Sequence, residues 1–248
     1  METAVTGTVM PVLEVTLSPG DKLVAEAGQF SWLTQSVEME TTTQTGGAKG
    51  MMGVLKRAVG GGGLFMSEFE AKNSPGTVSF STNLPGQILP ITVREGSAYM
   101  VQRGGFICAT EGISVTMGFQ KKLSAAFFGG EGFVLQKLEG NAEAWIEIDG
   151  EVVIKDLNPG EVLRVHPGHV GMFEERVAFE LTTVKGLKNK LFGDALFVAK
   201  LTGPGRVWLQ SLTLGNLAGA LQPYIDTNTG GGGGGSSAGN VIGGLFDK

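Results

Sequence analysis

The sequence predicts an all-β protein with three repeated β-sandwich or prism-like units in one compact body. One pattern occurs three times: a polar turn, a short apolar run, a glycine, an apolar residue two positions later and an alternating strand. The copies begin at Pro19, Glu95 and Pro159 and read PGDKLVAEAGQFSWLT, EGSAYMVQRGGFICAT and PGEVLRVHPGHVGMFE. Self-similarity with a period of about 65 to 75 residues is typical of one supersecondary unit used several times.

A second shared phrase follows each copy of the first. It reads GLFMSEFEAKNSPG from Gly63, GFVLQKLEG from Gly132 and ALFVAKLTGPG from Ala195. Gly140 and Gly203 close the phrase and predict a sharp turn or a β-bulge. The phrases divide the chain into a single all-β domain over residues 1–213 and a C-terminal extension over residues 214–248. Within that domain the repeats span residues 8–92, 93–157 and 158–213.

Alternation of apolar and polar residues marks individual strands. Residues 37–40, 78–81 and 144–148 alternate with a period of two, which places one side chain in a core and the next outside it. The Asp149-Gly150 pair between two apolar runs predicts a two-residue β-hairpin. The Asn-Pro-Gly-Glu segment at 158–161 predicts a turn.

Helical patterns are weak in this chain. No segment predicts an amphipathic helix longer than about three turns. The best short helical candidate is 49–59, which two glycines weaken. Residues 226–240 are rich in glycine and serine and predict a flexible tether that precedes an apolar tip at 241–246.

Composition narrows the class of protein. A net charge of −5 does not favour broad nucleic-acid binding, which depends on basic residues that neutralise phosphates. Cys108 is the one cysteine, so no intramolecular disulfide can form, and its apolar neighbours predict that the thiol is buried. No apolar run approaches the roughly 18 residues of a membrane-spanning helix, and no signal peptide is visible. We therefore expect a soluble, cytoplasmic protein, with a position at the periphery of a membrane left open.

Longer phrases of the chain resemble a known family. GGGLFMSEFEA, VIKDLNPGEVLRVHPGHV and the repeated GQF, GGF and GHV turns are similar to a widespread family of bacterial proteins of uncharacterised function. Its eukaryotic branch is the altered-inheritance-of-mitochondria group, implicated in organising the mitochondrial inner membrane. The resemblance covers residues 9–212. It implies a fold related to the tryptophan RNA-binding attenuator, with three similar units, and a homotrimer. It carries over no catalytic residue and implies no cofactor.

Both histidines lie in one segment whose residue spacing is similar to a metal-binding motif. His166, His169 and Glu174 resemble a distorted cupin signature, in which histidines and a glutamate surround a transition metal. Two features weaken this hypothesis. Pro167-Gly168 lies between the histidines and predicts a turn, and the other two copies of the phrase have no histidine in this region. The repeated scaffold therefore explains the spacing without a metal.

Three connectors between the first and second phrases combine positive charge with apolar residues. They span residues 42–59, 119–128 and 184–192 and contain no aspartate or glutamate. The average composition of the chain would place about three or four acidic residues there. If the units are related by pseudo-threefold symmetry, the connectors share one end of the molecule and form a basic, apolar face. Their basic residues are Lys49, Lys56, Arg57, Lys121, Lys122, Lys185, Lys188 and Lys190.

The sequence thus favours a non-enzymatic scaffold or binding protein whose connectors contact an anionic membrane surface or a protein partner. A cupin-like metal-binding enzyme that uses His166, His169 and Glu174 is the alternative from another class. A ligand- or nucleic-acid-binding module is a third hypothesis, including a sensor whose ligand lies between subunits. A purely structural role for the connectors also stays open, with their apolar residues packed and their lysines solvated.

Overall fold

The structure, a computed structural model, describes residues 1–42, 66–121, 132–183 and 197–226. These residues form β-strands, one short 3-10 helix and one α-helix. The all-β class is therefore confirmed. The chain divides into two compact units, Met1–Gly215 and Asn216–Lys248, and all the strands belong to the first.

The strands are short and follow one another closely along the chain. In chain order the described strands are β1 Glu2–Thr6, β2 Val12–Leu17, β3 Lys22–Glu26, β4 Trp32–Leu33, β5 Val37–Thr42, β6 Met66–Ala71, β7 Gly76–Ser81, β8 Gly86–Val93, β9 Ala98–Gln102, β10 Phe106–Thr110, β11 Ile113–Lys121, β12 Phe133–Gly140, β13 Ala142–Asp149, β14 Val152–Leu157, β15 Val162–Val165, β16 Val170–Glu174, β17 Ala178–Thr183, β18 Phe197–Thr202 and β19 Gly205–Gln210.

These strands form two large sheets and two small ones, paired antiparallel in the part of the chain that the structure describes. Sheet A has the order β1-β2-β7-β4, and sheet D has the order β15-β18-β17. Sheet B has the order β5-β6-β3-β10-β13-β8, and sheet C has the order β11-β12-β9-β16-β19-β14. Each strand number in sheet C is the number at the same position of sheet B plus six. The two large sheets are therefore built alike.

Three apolar cores lie between the four sheets. The first joins sheets A and B and contains Phe69 and Phe80, whose ring centroids are 5.8 Å apart. The second joins sheets B and C around Phe106, and the third joins sheets C and D around Phe173. The sheets thus stack in the order A, B, C, D. Sheets B and C are covered on both faces, because each contributes to two cores.

Two predicted turns are confirmed and one predicted hairpin is wrong. Residues 158–161 turn as expected, with the Glu161 amide donating to the Asn158 carbonyl at 3.0 Å. Gly140 has a φ of +123°, which fits the predicted sharp turn, and it lies where the chain passes from sheet C to sheet B. The strands on either side of Asp149-Gly150 do not pair with each other. β13 pairs with β8 and β10 in sheet B, whereas β14 pairs with β19 in sheet C.

The helical predictions have a mixed outcome. An α-helix, α1, spans Leu214–Asp226 and has 13 residues, so the expectation of no helix longer than three turns is wrong. Gly215, Gly219 and Pro223 are poor helix formers, which explains why this helix is hard to predict from the sequence. Residues 49–59 and the apolar tip at 241–246 lie outside the described residues. No helix in the described part of the chain is both long and apolar enough to cross a membrane.

Candidate functional site

Each connector leaves its sheet from a hairpin at the sheet edge. The hairpins are β5–β6 in sheet B, β11–β12 in sheet C and β17–β18 in sheet D. Their last paired residues are Thr42 with Met66, Lys121 with Phe133, and Thr183 with Phe197. The three connectors thus begin and end at corresponding places in three successive layers.

The ends of the hairpins in sheets C and D are packed together. The Lys121 ammonium donates to the Leu181 carbonyl at 3.1 Å and lies 5.8 Å from the centroid of the Phe197 ring. The Phe179 ring lies 5.1 Å from Phe119 and 5.6 Å from Phe133, measured between centroids. Because Phe119 and Lys121 are among the first residues of the second connector and Leu181 comes shortly before the third, the second and third connectors start side by side.

The end of the first hairpin is also packed against sheet C. Met66 is buried in the core between sheets B and C. Glu26 pairs with Met66 in sheet B and accepts a hydrogen bond from the Gln136 amide of sheet C at 3.2 Å. Gln136 is three residues after Phe133, the first residue of the strand that follows the second connector. The starting points of all three connectors are therefore linked through direct contacts between neighbouring layers.

Of the eight basic residues predicted for the connector face, Lys121 lies in the described part of the chain. Its ammonium is held by a backbone carbonyl and an aromatic ring, as described above. The other seven lie outside the described residues: Lys49, Lys56, Arg57, Lys122, Lys185, Lys188 and Lys190. Their contact with a membrane or an anionic partner stays a prediction.

The structure brings the two histidines together. His166 ends the loop after β15, and His169 closes the 3-10 helix Pro167–His169, which confirms the turn predicted between them. Their ring centroids are 5.7 Å apart. The Nδ1 atom of His169 lies 2.8 Å from the Gln210 carbonyl oxygen. Burial lowers the pKa of His166, and the proximity of His169 lowers it further.

Glu174, the third residue of the predicted metal site, has other partners. Its carboxylate accepts hydrogen bonds from Nε of Arg176 at 2.7 Å and from the backbone amide of Arg206 at 2.9 Å. Across the described ranges, no group of three or more His, Cys, Asp and Glu side chains is placed to hold a metal ion. The metal site therefore stays a prediction from sequence.

A buried acidic residue that the sequence analysis missed is Glu147 of β13. Alternation along this strand placed its side chain outside, but the segment before β8 packs over it and leaves the side chain 3 % exposed. The carboxylate accepts backbone hydrogen bonds from Asn83 at 2.8 Å and Leu84 at 3.1 Å. Burial raises its pKa to about 7, and the nearby Asp149 charge adds to the increase.

Asp149 lies in a buried hydrogen-bond network between sheets B and C. Its carboxylate accepts from the Gln102 amide at 3.3 Å, and the Gln210 amide donates to the Gln102 side-chain oxygen at 2.9 Å. Gln210 also donates to the Gly168 carbonyl at 2.9 Å, beside the histidine pair. Burial raises the pKa of Asp149. This satisfied network fixes the two sheets and the histidine loop relative to one another.

Comparison with known proteins agrees with this architecture. A family model described as mitochondrial biogenesis AIM24 matches residues 3–212. An uncharacterised protein of Streptococcus pyogenes serotype M6 is 22 % identical over 223 residues, which cover 88 % of this chain and 88 % of the relative. A crystal structure of a Streptococcus pyogenes protein has a TM-score of 0.70 at 19 % identity, covering 90 % of this chain and 99 % of that one. That structure shows the same fold. Because the family model matches most of the sequence, the chain belongs to the mitochondrial biogenesis AIM24 family.

Proposed function

We propose that this protein is a non-enzymatic, homotrimeric scaffold that binds an anionic membrane surface through its three connectors. One observation carries the proposal: three segments rich in lysine and free of acidic residues start from hairpin ends that pack against one another. The packed starting points support the proposal that the charges of the three connectors act on the same surface.

The chemistry of the connectors suits an anionic bilayer. Lysine side chains near such a surface contribute about 1 kcal/mol each, and neighbouring apolar side chains enter the interface. The connectors contain both kinds of residue, for example Lys188 and Lys190 beside Leu191 and Phe192. In a trimer, weak contacts from several subunits combine through effective concentration. The net charge of −5 for the whole chain keeps the remainder of the surface acidic.

The histidine region supports the non-enzymatic part of the proposal. His169 contacts a backbone carbonyl, and Glu174 contacts two arginine residues. These contacts give both groups a structural role in the third unit. The layered fold then serves as a rigid support that presents the connectors.

Vesicle flotation tests the membrane surface. We expect the purified protein to float with vesicles of phosphatidylglycerol and phosphatidylcholine at low salt, and not with phosphatidylcholine alone. The variant Lys188→Glu/Lys190→Glu removes two lysines from each subunit. At about 1 kcal/mol for each lysine, its partition onto anionic vesicles falls by roughly 30-fold per subunit.

A matched control reverses two exposed charges away from the connectors, Arg94→Glu and Lys155→Glu. This variant changes the net charge by the same amount, so it should keep most of the flotation if the connectors form the binding face. Equal losses in the two variants would show that only net charge matters. Absence of flotation of the unmodified protein on anionic vesicles at low salt would overturn the membrane proposal.

A further inference from the structure

The outer face of sheet A carries a cavity that has no part in the proposed function. Sheet A contributes one face to the first core, and no other sheet of the described chain covers its second face. A cavity of about 350 Å³ opens on that second face. This volume lies in the range of small-molecule sites, about 300 to 1,000 Å³. The polar and aromatic side chains that line it are Glu2, Thr3, Glu14, Thr16, Trp32, Thr34 and Thr77.

One row of these side chains crosses three strands. Glu14 of β2 and Trp32 of β4 both lie opposite Ser79 of β7. Opposite residues of antiparallel strands point to the same face, so these three side chains are neighbours. That face is the outer one, because the next residue, Leu33, packs against the first core. The Ser79 hydroxyl donates a long hydrogen bond, 3.5 Å, to the Glu14 carboxylate, and Ser79 is fully buried between its two neighbours.

A second row adds a carboxylate and three hydroxyl groups. Thr16 lies opposite Glu2 on one side and opposite Thr77 on the other. The hydroxyl oxygens of Thr16 and Thr77 are 3.4 Å apart, and the Thr34 hydroxyl accepts from the Thr77 amide at 2.9 Å. These contacts fix the hydroxyl groups, whereas the two glutamates supply the charge of the cavity.

The charge of the cavity is negative and unbalanced. Among the described residues that line it, two are acidic and none is basic. The N-terminal ammonium, one residue before Glu2, pairs with Asp21 at 3.1 Å, and no ion pair joins Glu2 or Glu14 to another described residue. Sheet B differs, since its Glu68 pairs with Lys22 at 2.7 Å. A cation is therefore the ligand that the charge of this cavity fits.

Trp32 adds a surface that suits an organic cation. Its side chain is 51 % exposed, whereas Trp145 and Trp208 are 7 % and 8 % exposed. The quadrupole of an aromatic ring attracts a cation to the ring face, and tryptophan is the strongest side chain for this contact. A carboxylate beside the ring favours positive charge at the same place. Small metal ions prefer several oxygen ligands and gain little from an indole, so the combination favours an organic ammonium group.

We propose that this cavity binds a small organic cation, whose ammonium group lies against Trp32 and close to the carboxylates of Glu2 and Glu14. The threonine hydroxyls offer hydrogen bonds to polar parts of the ligand, which orient it. The site lies on sheet A, whereas the connectors leave from sheets B, C and D. It therefore goes beyond the proposed function and does not depend on membrane binding.

Choline and the neutral isostere dimethylbutanol, in which a carbon replaces the nitrogen, test the charge requirement. We expect the full-length protein at low salt to bind choline, seen as a change in tryptophan fluorescence, and to bind the isostere much more weakly. Because Trp145 and Trp208 are buried, Trp32 is the reporter. Equal binding of both molecules, or no binding of choline at tens of millimolar, would overturn the proposal.

Variants of the lining residues locate the site, with binding measured by proton NMR of choline because Trp32→Ala removes the fluorescent reporter. We expect Trp32→Ala to weaken binding by at least about fivefold, through loss of the ring contact. Glu14→Gln should weaken it by about threefold to fivefold at low salt and by less at high salt. Both variants should keep the circular dichroism spectrum of the wild type, because the two side chains point away from the core.

The matched control is Glu95→Gln, which removes one exposed negative charge from the turn between β8 and β9. It changes the net charge as Glu14→Gln does and should keep the affinity of the wild type. Equal weakening in these two variants would show that choline responds only to net charge. Unchanged binding in a folded Trp32→Ala variant would place the ligand elsewhere. Either result would overturn the site, and neither bears on vesicle flotation.

Discussion

Burial raises the pKa of two side chains in the β-strands, Cys108 and Glu147. Cys108 lies in an apolar phrase and is fully buried, as predicted, and burial raises its pKa. Glu147 alternates with apolar residues, which is the ordinary pattern of an exposed position. Its burial depends on the segment that contains Asn83 and Leu84, which lies 64 and 63 residues earlier in the chain. No local pattern around Glu147 contains that information.

The raised pKa of Glu147 predicts how stability changes with pH. The folded protein holds the proton up to about pH 7, whereas the unfolded chain loses it near the usual value of 4.5. The folded state therefore binds more protons between these values, and the free energy of unfolding falls as the pH rises through this window. The loss is on the order of 3 kcal/mol.

The variant Glu147→Gln should remove this decrease and stabilise the protein at pH 8, because the amide oxygen still accepts the bonds from Asn83 and Leu84. Melting temperatures measured from pH 5 to pH 8 check the expectation. Glu143→Gln on the same strand is the control, since Glu143 is exposed. The same pH profile in wild type and Glu147→Gln would show that the titration of Glu147 does not affect stability.

For strands and turns, the sequence predicts their positions better than it predicts which strands pair. Residues 37–40, 78–81 and 144–148 lie within β5, β7 and β13, as predicted. The Asp149-Gly150 turn also exists, with Gly150 at a φ of +70°. The predicted pairing of β13 with β14 across this turn is wrong. A turn fixes the direction of two strands only locally, and here each strand finds a better hydrogen-bonding partner in a different sheet.

Glycines at sheet-to-sheet turns should differ in their tolerance of alanine. Gly140 has a φ of +123°, and a Cβ added there would overlap the Gly112 carbonyl oxygen. Gly96 has a φ of +81° and nothing within 4 Å of an added Cβ. We expect Gly140→Ala to lower the free energy of unfolding by at least about 3 kcal/mol and Gly96→Ala to lower it by about 1 kcal/mol.

Urea unfolding of the two variants beside the wild type measures the difference. The comparison separates steric overlap from backbone strain, since both positions require positive φ. Similar losses at Gly96 and Gly140 would contradict the close approach of the two turns.

For the whole molecule, the sequence predicts three similar units, and the structure shows two six-stranded sheets, B and C, that are built alike. The aligned phrases located turns and apolar runs that recur in one order. They did not reveal which strands pair. Each large sheet depends on a long-range pairing, such as β3 with β10 in sheet B, and no local sequence pattern specifies a partner. The basic, acid-free composition of the connectors can be read from the sequence, whereas the contact between Lys121 and Leu181 is seen only in the structure.

The proposed homotrimer predicts that thermal stability depends on protein concentration. Association stabilises the folded state by mass action, so a hundredfold dilution should lower the melting temperature. Thermal unfolding followed by circular dichroism at the two concentrations measures this change. A melting temperature that does not depend on concentration would contradict the homotrimer.

Each large sheet combines strands from distant parts of the chain, so removing the last predicted unit would also disrupt sheet C. A linear solenoid can lose a terminal repeat and keep the rest folded, because each repeat contributes whole layers. Ending this chain after Leu157 would leave β9 without β16 and β14 without β19. It would also remove seven of the ten buried residues of the core around Phe173, including Phe173 itself. Such a fragment would have strands in sheet C without their pairing partners. We therefore expect it to fold only when the missing strands are supplied as a separate chain.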